Sequence, residues 1–343
     1  MKAVLFCKNP YAFGILLPLY ETLLNEGHNT IWYIPQSLME KCPEKIKKAN
    51  IRNSMQALLQ FNGDANFVPG NIIPHYLPGV KVQVFHGFAG EKKGHFRIRH
   101  YFDLYLTQGP YFTERFEELA AKHKNFEVAE TGWCKLDILY RKETEVEKAD
   151  NGPQKVLYAP TFSPSLTSAE KYMSPLKSLC ANRNIELHVK FHDLMNKQIV
   201  AQYKKLASQH DNMIISEEAN ILPLMKQCDL MISDTSSVVY EFLLLDKPVI
   251  TLETSSKHIR WDNLNDSDDL LAMVTKNLEE DPYKNDRQWF IDNYHPYNDE
   301  HSSSRMIKAV ENYIDKHGVP RHRQLSFWRR RKVHKTFGKK PKA

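Results

Sequence analysis

Long apolar runs are missing from this chain of 343 residues. No stretch reaches the roughly 18 apolar residues that a membrane-crossing helix needs, and residues 1–8 turn polar too early for a signal peptide. Cysteine is also scarce, since five residues stand far apart without a Cys-x-x-Cys pair. This spacing predicts neither a disulfide framework nor a zinc site. We therefore expect a cytoplasmic protein with reduced thiols.

Acidic residues are absent from residues 318–343, which hold ten of the 47 Lys and Arg residues. The rest of the chain, with 37 basic and 41 acidic residues, is net negative. Clustered basic and aromatic residues suit an anionic membrane surface, where each basic residue contributes about 1 kcal/mol. Nucleic acid would attract the same charges, and a solvated tail without a partner is a further alternative. We interpret the segment as a basic membrane-associating tail with no nucleic-acid partner, and the residues expected to bind are Trp328, Arg329, Arg330, Arg331 and Lys332.

Apolar periodicity alternates between strands and helices along the chain. Residues 3–6 and 30–34 are predicted strands, and residues 15–25 are the helix between them, closed by Gly27. Repeated β-α-β units favour an α/β fold with parallel, doubly wound sheets. Further strands are predicted at residues 80–85, 104–107, 127–131, 155–159, 185–191, 213–216, 230–232 and 249–252.

Two domains of similar size are predicted. Residues 141–155 are charged and lack an apolar period, which is typical of a linker. The Rossmann-like domains then occupy residues 1–145 and 152–290. Residues 291–317 are predicted to form a C-terminal helix that packs back on the first domain, ahead of the basic tail.

The most informative turn is Asp234-Thr235-Ser236-Ser237, which joins a short apolar strand to the apolar helix predicted at residues 238–245. A helix that opens on small hydroxylated residues presents free backbone N–H groups and the positive end of its dipole, where a diphosphate can bind. The alternative is that Ser236 or Ser237 merely caps the helix.

Other strand ends carry polar groups as well. Ligands of open parallel sheets bind beyond the carboxyl ends of the strands. There the sequence has His86-Gly87, Pro160-Thr161 and His192-Asp193, in addition to the turn that begins at Asp234. These positions predict a functional site rather than ordinary structural residues.

With these motifs in this order, the chain resembles the CDP-glycerol glycerophosphotransferase family, the teichoic-acid primases and polymerases. Order and spacing agree over roughly residues 80–310. The matching residues are Phe85-His86-Gly87, Thr131 to Asp137, Leu157 to Phe162, Lys190-Phe191-His192, Cys228 to Ser237, Lys247-Pro248, and Asn298-Asp299 with Arg305. The resemblance implies a GT-B-like fold, in which two Rossmann-like domains face each other across a cleft.

The resemblance also implies a reaction and its partners. A glycerophosphoryl group would move from CDP-glycerol, or a related CDP-alcohol, to a hydroxyl of a membrane lipid-linked glycan or polymer, releasing CMP, in cell-surface polysaccharide synthesis. The enzyme would work without metal or cofactor at the inner face of the plasma membrane. Deleting residues 318–343 is expected to abolish liposome binding while sparing activity on a soluble acceptor.

Roles follow from the chemistry of the transfer. His86 is the candidate base for the acceptor hydroxyl, with Gly87 allowing close backbone approach, and His192 is the candidate donor to the β-phosphate or the leaving group. Asp234 is expected to accept from ribose or cytosine, while Glu241 either receives the ribose hydroxyls or faces solvent. The donor-binding residues are Thr161, Lys190, Asp234, Thr235, Ser236, Ser237 and Glu241.

The sequence leaves three alternatives open. Asp266, Asp268 and Asp269 resemble a metal cluster superficially, but they are predicted to open a helix at residues 270–277. A GT-B glycosyltransferase that uses a nucleotide sugar would share the fold and the diphosphate site. A non-catalytic nucleotide-binding protein is the second alternative function.

Overall fold

The computed structural model of the protein describes residues 1–88, 94–141, 152–218, 221–256, 259–265 and 269–341. The chain divides into two compact units, of which the first combines Met1–Arg141 with Asn293–Ala343 and the second is Lys142–Asp292. Most of the predicted linker, at residues 142–151, lies outside the described residues. The first unit is discontinuous in sequence, because the chain returns to it after the second unit.

The first unit is built on a parallel sheet. Its strands are β1 Lys2–Phe6, β2 Asn29–Tyr33, β3 Ile51–Arg52, β4 Ala65–Val68, β5 Val80–Gln83, β6 Leu104–Thr107 and β7 Glu127–Glu130. Within the described residues they lie in the order β3-β2-β1-β4-β5-β6-β7, with every adjacent pair parallel. Strands β4, β5 and β6 are buried along their whole length, as expected for a parallel sheet that is covered on both faces.

Helices connect these strands. They are α1 Tyr11–Asn25, α2 Glu44–Lys47, α3 Met55–Phe61, α4 Pro110–His123 and α5 Asp137–Tyr140, with 3-10 turns at Gln36–Lys41 and Cys134–Leu136. Helix α1 begins at Tyr11, four residues before its predicted start. The predicted end is correct, since the chain leaves the helix through Gly27, whose φ of 75° is left-handed.

The second unit repeats the plan. Its strands are β8 Gln154–Tyr158, β9 Ile185–Val189, β10 Met213–Ile215, β11 Leu230–Ser233, β12 Val249–Leu252 and β13 Asp262–Leu264. Over the described part of this unit the order is β10-β9-β8-β11-β12-β13, again with parallel neighbours. Its helices are α6 Met173–Leu179, α7 Lys197–Ala207, α8 Leu222–Gln227, α9 Val238–Leu243, α10 Leu270–Glu279 and α11 Lys284–Tyr294, although the last two residues of α11 belong to the first unit. The two sheets confirm the predicted α/β class.

Three strands were not predicted from the sequence: β3, β4 and β13. Strand β4 is central, since it pairs with both β1 and β5. Its sequence, Ala-Asn-Phe-Val, is short and contains Asn66, which is unfavourable in strands. The buried Asn66 amide donates to the carbonyl of Pro78 at 2.8 Å, so the polar group is satisfied inside the sheet.

Helix α12, Ser302–His317, belongs to the first unit, and a buried carboxylate holds its amino end. The Asp137 carboxylate accepts from the backbone N–H groups of Ser302 and Ser303 at 3.0 and 2.8 Å. A negative charge there complements the helix dipole. Gly132, with a φ of 79°, packs so closely that an added Cβ would lie 2.5 Å from the Ser302 hydroxyl. Residues 131–137 therefore have a structural role in fixing α12.

The basic segment is folded rather than extended. Helix α13, Phe327–Phe337, buries Val333 completely in the first unit's core. The ring of Phe337 lies 5.7 Å from that of Phe6 on β1. Before the helix, the Arg323 guanidinium pairs with the buried Asp103 and donates to the carbonyl of His100 at 2.7 Å. Deleting residues 318–343 would remove part of the core and the Arg323 contact, so we expect the deletion to destabilise the first unit. Its effects on activity and on liposome binding stay predictions.

Replacing Arg323 with alanine is predicted to destabilise the first unit by about 3 kcal/mol, because the substitution leaves the carboxylate of Asp103 buried without its guanidinium partner. Urea unfolding, followed by fluorescence, measures the loss. The matched control is Arg331→Ala, an exposed residue of α13, which should stay within about 0.5 kcal/mol of the wild type. Equal stability of the two variants would contradict the anchoring role of Arg323.

Candidate functional site

Each sheet reverses its strand order at one place, between β1 and β4 in the first unit and between β8 and β11 in the second. Such reversals open a crevice at the carboxyl ends of the strands, where ligands bind. In the second unit, Thr161 follows β8 and Asp234 follows β11, so both lie at the reversal. His86 and His192 follow the neighbouring strands β5 and β9 in their own units.

The backbone before His86 adopts an unusual conformation. Phe85 has a φ of 63°, which a bulky non-glycine residue rarely adopts. The Phe85 ring is buried and stacks on His95, with the ring centroids 5.2 Å apart. The buried ring holds the turn, and the next side chain, His86, is exposed beyond the strand. Such local strain is typical of functional sites.

The hydrogen bond of His86 defines its tautomer. Its Nδ1 lies 3.2 Å from the carbonyl oxygen of Pro69, an atom that can only accept. Nδ1 therefore carries the proton, and the lone pair of the neutral imidazole is on Nε2. The Tyr11 ring lies alongside, 5.4 Å between centroids. Gly87 is buried, and its carbonyl accepts from the Gln108 amide at 3.4 Å.

His192 has the opposite tautomer. The backbone N–H of Leu194 donates to its Nδ1 at 3.1 Å, so Nε2 carries the proton in the neutral ring. The ring packs on Phe162, with 4.4 Å between centroids. Partial burial and, to a smaller extent, Lys190 lower the pKa of His192, against the opposing effect of Asp193. The lowered pKa favours the neutral ring, which presents an N–H donor on Nε2.

The Asp234 carboxylate is used inside the protein. It is 1% exposed and accepts from the N–H of Thr161 at 2.9 Å and from the N–H and hydroxyl of Ser168, both at 3.0 Å. Burial raises the pKa of Asp234, and these hydrogen bonds oppose the shift. The expected contact between Asp234 and ribose or cytosine is therefore corrected: the residue positions the loop that carries Thr161.

The hydroxylated turn after Asp234 does not behave as a simple cap. Ser237 makes no side-chain hydrogen bond to helix α9, and the Ser236 hydroxyl accepts from the N–H of Val238 at a long 3.4 Å. Both serines are half-buried. Thr235 differs, because its hydroxyl accepts from the N–H of Ser255 at 3.2 Å and ties the turn to the loop after β12. This loop contact leaves the hydroxyl proton of Thr235 available, and its predicted ligand contact stays a prediction.

Two further predicted donor-binding residues lie near these turns in the chain. Lys190 directly follows β9 and is half-buried, and its ammonium donates to the carbonyl of Phe191 at 2.8 Å. Glu241 lies in the first turn of α9 and is only 4% exposed. The alternative that Glu241 faces solvent is wrong, and its ribose-binding role stays a prediction.

The acidic run before α10 contains a helix cap. The Asp269 carboxylate accepts from the N–H of Ala272 at 3.1 Å, as an N-cap does, while Asp266 and Asp268 lie outside the described residues. In the part of the chain that the structure describes, no group of three or more His, Cys, Asp and Glu residues is arranged to hold a metal ion.

Two features of the site were missed by sequence reasoning. Phe162 packs against His192, although its position after the Ala-Pro-Thr turn gave no chemical signal. Tyr11 lies against His86 and follows the end of β1. Tyr11 follows a strand end, as His86 and His192 do. The same criterion would have selected it if helix α1 had been predicted to begin at Tyr11.

Solved structures share this fold at low sequence identity. A structure of the wall teichoic acid polymerase TagF soaked with CDPG has a TM-score of 0.64 and 14% identity, covering 92% of this chain and 88% of that one. A UDP-GlcNAc 2-epimerase from Neisseria meningitidis bound to UDP-GlcNAc also has a TM-score of 0.64 and 14% identity, over 91% and 100% of the chains. These likenesses confirm the GT-B-like class of the two Rossmann-type sheets.

The family is shown by sequence. The model of the CDP-glycerol:poly(glycerophosphate) glycerophosphotransferase family matches residues 24–260, and the chain belongs to this family. The teichoic acid ribitol-phosphate polymerase TarL of Staphylococcus aureus (strain NCTC 8325 / PS 47) is 27% identical over 203 residues. That alignment covers 49% of this chain and 34% of TarL, so the chain matches about a third of the relative's length.

Replacing Asp234 with alanine is predicted to lower the free energy of unfolding by about 3 kcal/mol, because the N–H groups of Thr161 and Ser168 lose their buried acceptor. Ser237→Ala is the matched control in the same turn and should cost much less, since Ser237 has no capping bond. Chemical denaturation measures both variants. An Asp234 variant as stable as the Ser237 variant would show that the carboxylate does not hold the loop.

Proposed function

We propose that the protein transfers a glycerophosphoryl group from CDP-glycerol, or a related CDP-alcohol, to a hydroxyl of a lipid-linked glycan or polymer in cell-surface polysaccharide synthesis. The observation that carries the proposal is the pair of opposite histidine tautomers at strand ends. His86 offers a lone pair on Nε2, and His192 offers an N–H on Nε2. His86 therefore suits removal of the proton from the acceptor hydroxyl, and His192 suits hydrogen bonding to the phosphate of the CDP-alcohol.

The proposed step forms one P–O bond and breaks another. The acceptor oxygen attacks the β-phosphorus, the bond from that phosphorus to the bridging oxygen breaks, and CMP leaves with the bridging oxygen. The hydroxyl proton passes to Nε2 of His86. Because CMP is a stable anion at neutral pH, a strong acid is unnecessary, and a hydrogen bond from His192 is sufficient to stabilise the developing charge.

Donor binding is assigned to the second unit. The half-buried serines Ser236 and Ser237 precede α9 and offer hydroxyl and N–H donors to the diphosphate. Thr161, which Asp234 holds in place, and Lys190 add a hydroxyl and a positive charge. Glu241 is the proposed acceptor for the ribose hydroxyls. Metal-independent transfer is part of the proposal, with the Lys190 ammonium and the neutral hydroxyl and N–H donors stabilising the diphosphate.

Release of CMP from CDP-glycerol tests the function directly. The purified protein should release CMP when a lipid-linked acceptor is added, and His86→Ala and His192→Ala should each lower turnover at least about 100-fold. The acidic limb of the pH–rate profile should disappear in His86→Ala, since protonation of the base abolishes its lone pair. His210→Ala, at a turn of the second unit, is the matched control and should keep wild-type turnover.

Other results would change the proposed function or its mechanism. Release of UDP from a nucleotide sugar instead of CMP would establish a glycosyltransferase. Nucleotide binding without turnover of either donor class would establish a non-catalytic protein. Near-normal turnover of both histidine variants would remove the proposed mechanism while leaving the reaction in place.

Peripheral attachment to an anionic membrane at its cytoplasmic face is proposed through α13. Phe327 and Trp328 are 63% and 72% exposed, and the side chains of Arg330, Arg331 and Lys332 are exposed as well. Arg329 is half-buried. The helix is anchored by Val333 and so presents aromatic and basic groups on a fixed support. In the described residues no helix has both the length and the apolar character to cross a bilayer.

Substituting Trp328 with glutamate should lower the partition coefficient for phosphatidylglycerol vesicles about tenfold, because an interfacial ring is replaced by a charge that anionic lipid repels. Vesicle sedimentation at low salt measures the effect. Leu24→Glu changes an exposed apolar residue of α1, 47% exposed, and should bind with less than about twofold difference from the wild type. Equal losses in both variants would assign the effect to net charge and contradict a role for α13.

A further inference from the structure

The ring of Phe162 packs against His192, although Phe162 is 38% exposed. The two ring centroids are 4.4 Å apart, and the ring planes are inclined by 33°. Phe162 lies in the loop after β8, and His192 lies in the turn after β9, the strand that pairs with β8. The contact therefore joins two neighbouring strand ends of the second unit.

The His192 side chain has few other restraints. It is exposed, and its hydrogen bond is to the backbone N–H of Leu194 in the same turn. Exposed side chains change rotamer within nanoseconds when no neighbour restrains them. Among the described residues, Phe162 is the one aromatic ring in contact with the imidazole. A ring held by one hydrogen bond can still swing about that bond, and the Phe162 ring blocks this movement.

The loop that carries Phe162 is fixed from the interior. The N–H of Thr161 donates to one oxygen of the buried Asp234 carboxylate at 2.9 Å. The N–H of Ser168 donates to the other oxygen at 3.0 Å. One carboxylate thus holds both ends of the loop, and Phe162 directly follows the first anchored residue. The phenyl ring therefore projects toward His192 from a fixed support.

The direction of the His192 ring matters for the proposed chemistry. A hydrogen-bond donor stabilises developing charge only when its N–H points at that charge. Leu194 donates to Nδ1, so the neutral ring carries its proton on Nε2. Burial lowers the pKa of His192, Asp193 opposes this effect, and Lys190 adds to it. The Phe162 ring covers part of the imidazole and so contributes to the burial.

We propose that Phe162 is a positioning residue that fixes the direction of the His192 Nε2–H. The inference rests on the proposed function, in which His192 donates to the phosphate of the CDP-alcohol. Three strand ends then act in series, because Asp234 after β11 holds the loop after β8, and Phe162 in that loop holds His192 after β9. A donor that is aligned before the substrate binds stabilises the transition state without a further ordering cost.

NMR of the histidine ring nitrogens in the full chain tests the inference without substrate, with His192→Gln to assign the signals. Phe162→Ala should move the Nδ1 and Nε2 signals of His192 toward each other, because a mobile ring samples both tautomers. The pKa of His192 should rise, because the ring becomes more exposed. Phe162→Tyr keeps the ring contact and should restore the wild-type spectrum. Leu166→Ala, which changes a 44% exposed residue of the same loop, is the control and should leave the spectrum unchanged.

Turnover provides a second measurement. Phe162→Ala should lower kcat about tenfold and change KM for CDP-glycerol less than about twofold, because the His192 hydrogen bond strengthens as charge develops. Phe162→Tyr and Leu166→Ala should keep the wild-type kcat. Because Phe162 is partly exposed, the alanine variant should fold, and circular dichroism checks that it does.

Several outcomes would overturn the positioning role. Unchanged His192 signals in Phe162→Ala would do so, as would an equal change in Leu166→Ala or no recovery in Phe162→Tyr. A raised KM with an unchanged kcat would show that Phe162 binds the donor instead. Failure of the proposed function is a separate result, seen as absence of CMP release by the wild type. In that case the ring signals still decide whether Phe162 holds His192.

Discussion

The buried carboxylate of Asp234 is the interaction on which the donor side of the site depends. It joins the end of β11 to the loop that follows β8, the two strands at which the second sheet reverses its order. Without this link, the N–H groups of Thr161 and Ser168 would lack a partner in the interior. The Asp234 carboxylate is buried, while Ser236 and Ser237 in the same turn are only half-buried. Asp234 therefore supports the loop, although its place in the sequence suggested that it binds a ligand.

The regular part of the fold was accessible from sequence because parallel strands buried on both faces are almost continuously apolar. Strands β6 and β12 have the predicted bounds, and most others differ by one or two residues at an end. Strand β4 escaped detection, since its four residues include an amide whose partner, the carbonyl of Pro78, is twelve residues away. A polar residue that is satisfied by a tertiary contact cannot be distinguished from a loop residue by local pattern.

The candidate site was also only partly predictable from the sequence. Strand-end position selected His86 and His192 without help from the structure, because the topology of a doubly wound sheet fixes where ligands bind. Their tautomers, however, depend on the backbone of Pro69 and Leu194, and no pattern in the sequence reports such contacts. Composition likewise identified the basic segment but could not show that Val333 is buried.

The return of the chain to the first unit has a consequence for biosynthesis. The seven strands of the first sheet emerge from the ribosome before the second unit, yet α12 and α13 are translated after that unit. The Asp137 carboxylate must therefore wait for the N–H groups of Ser302 and Ser303, and the Asp103 carboxylate must wait for the Arg323 guanidinium. Domains commonly fold in the order of synthesis. Here the amino-terminal unit completes its fold only after the unit inserted within it has been made.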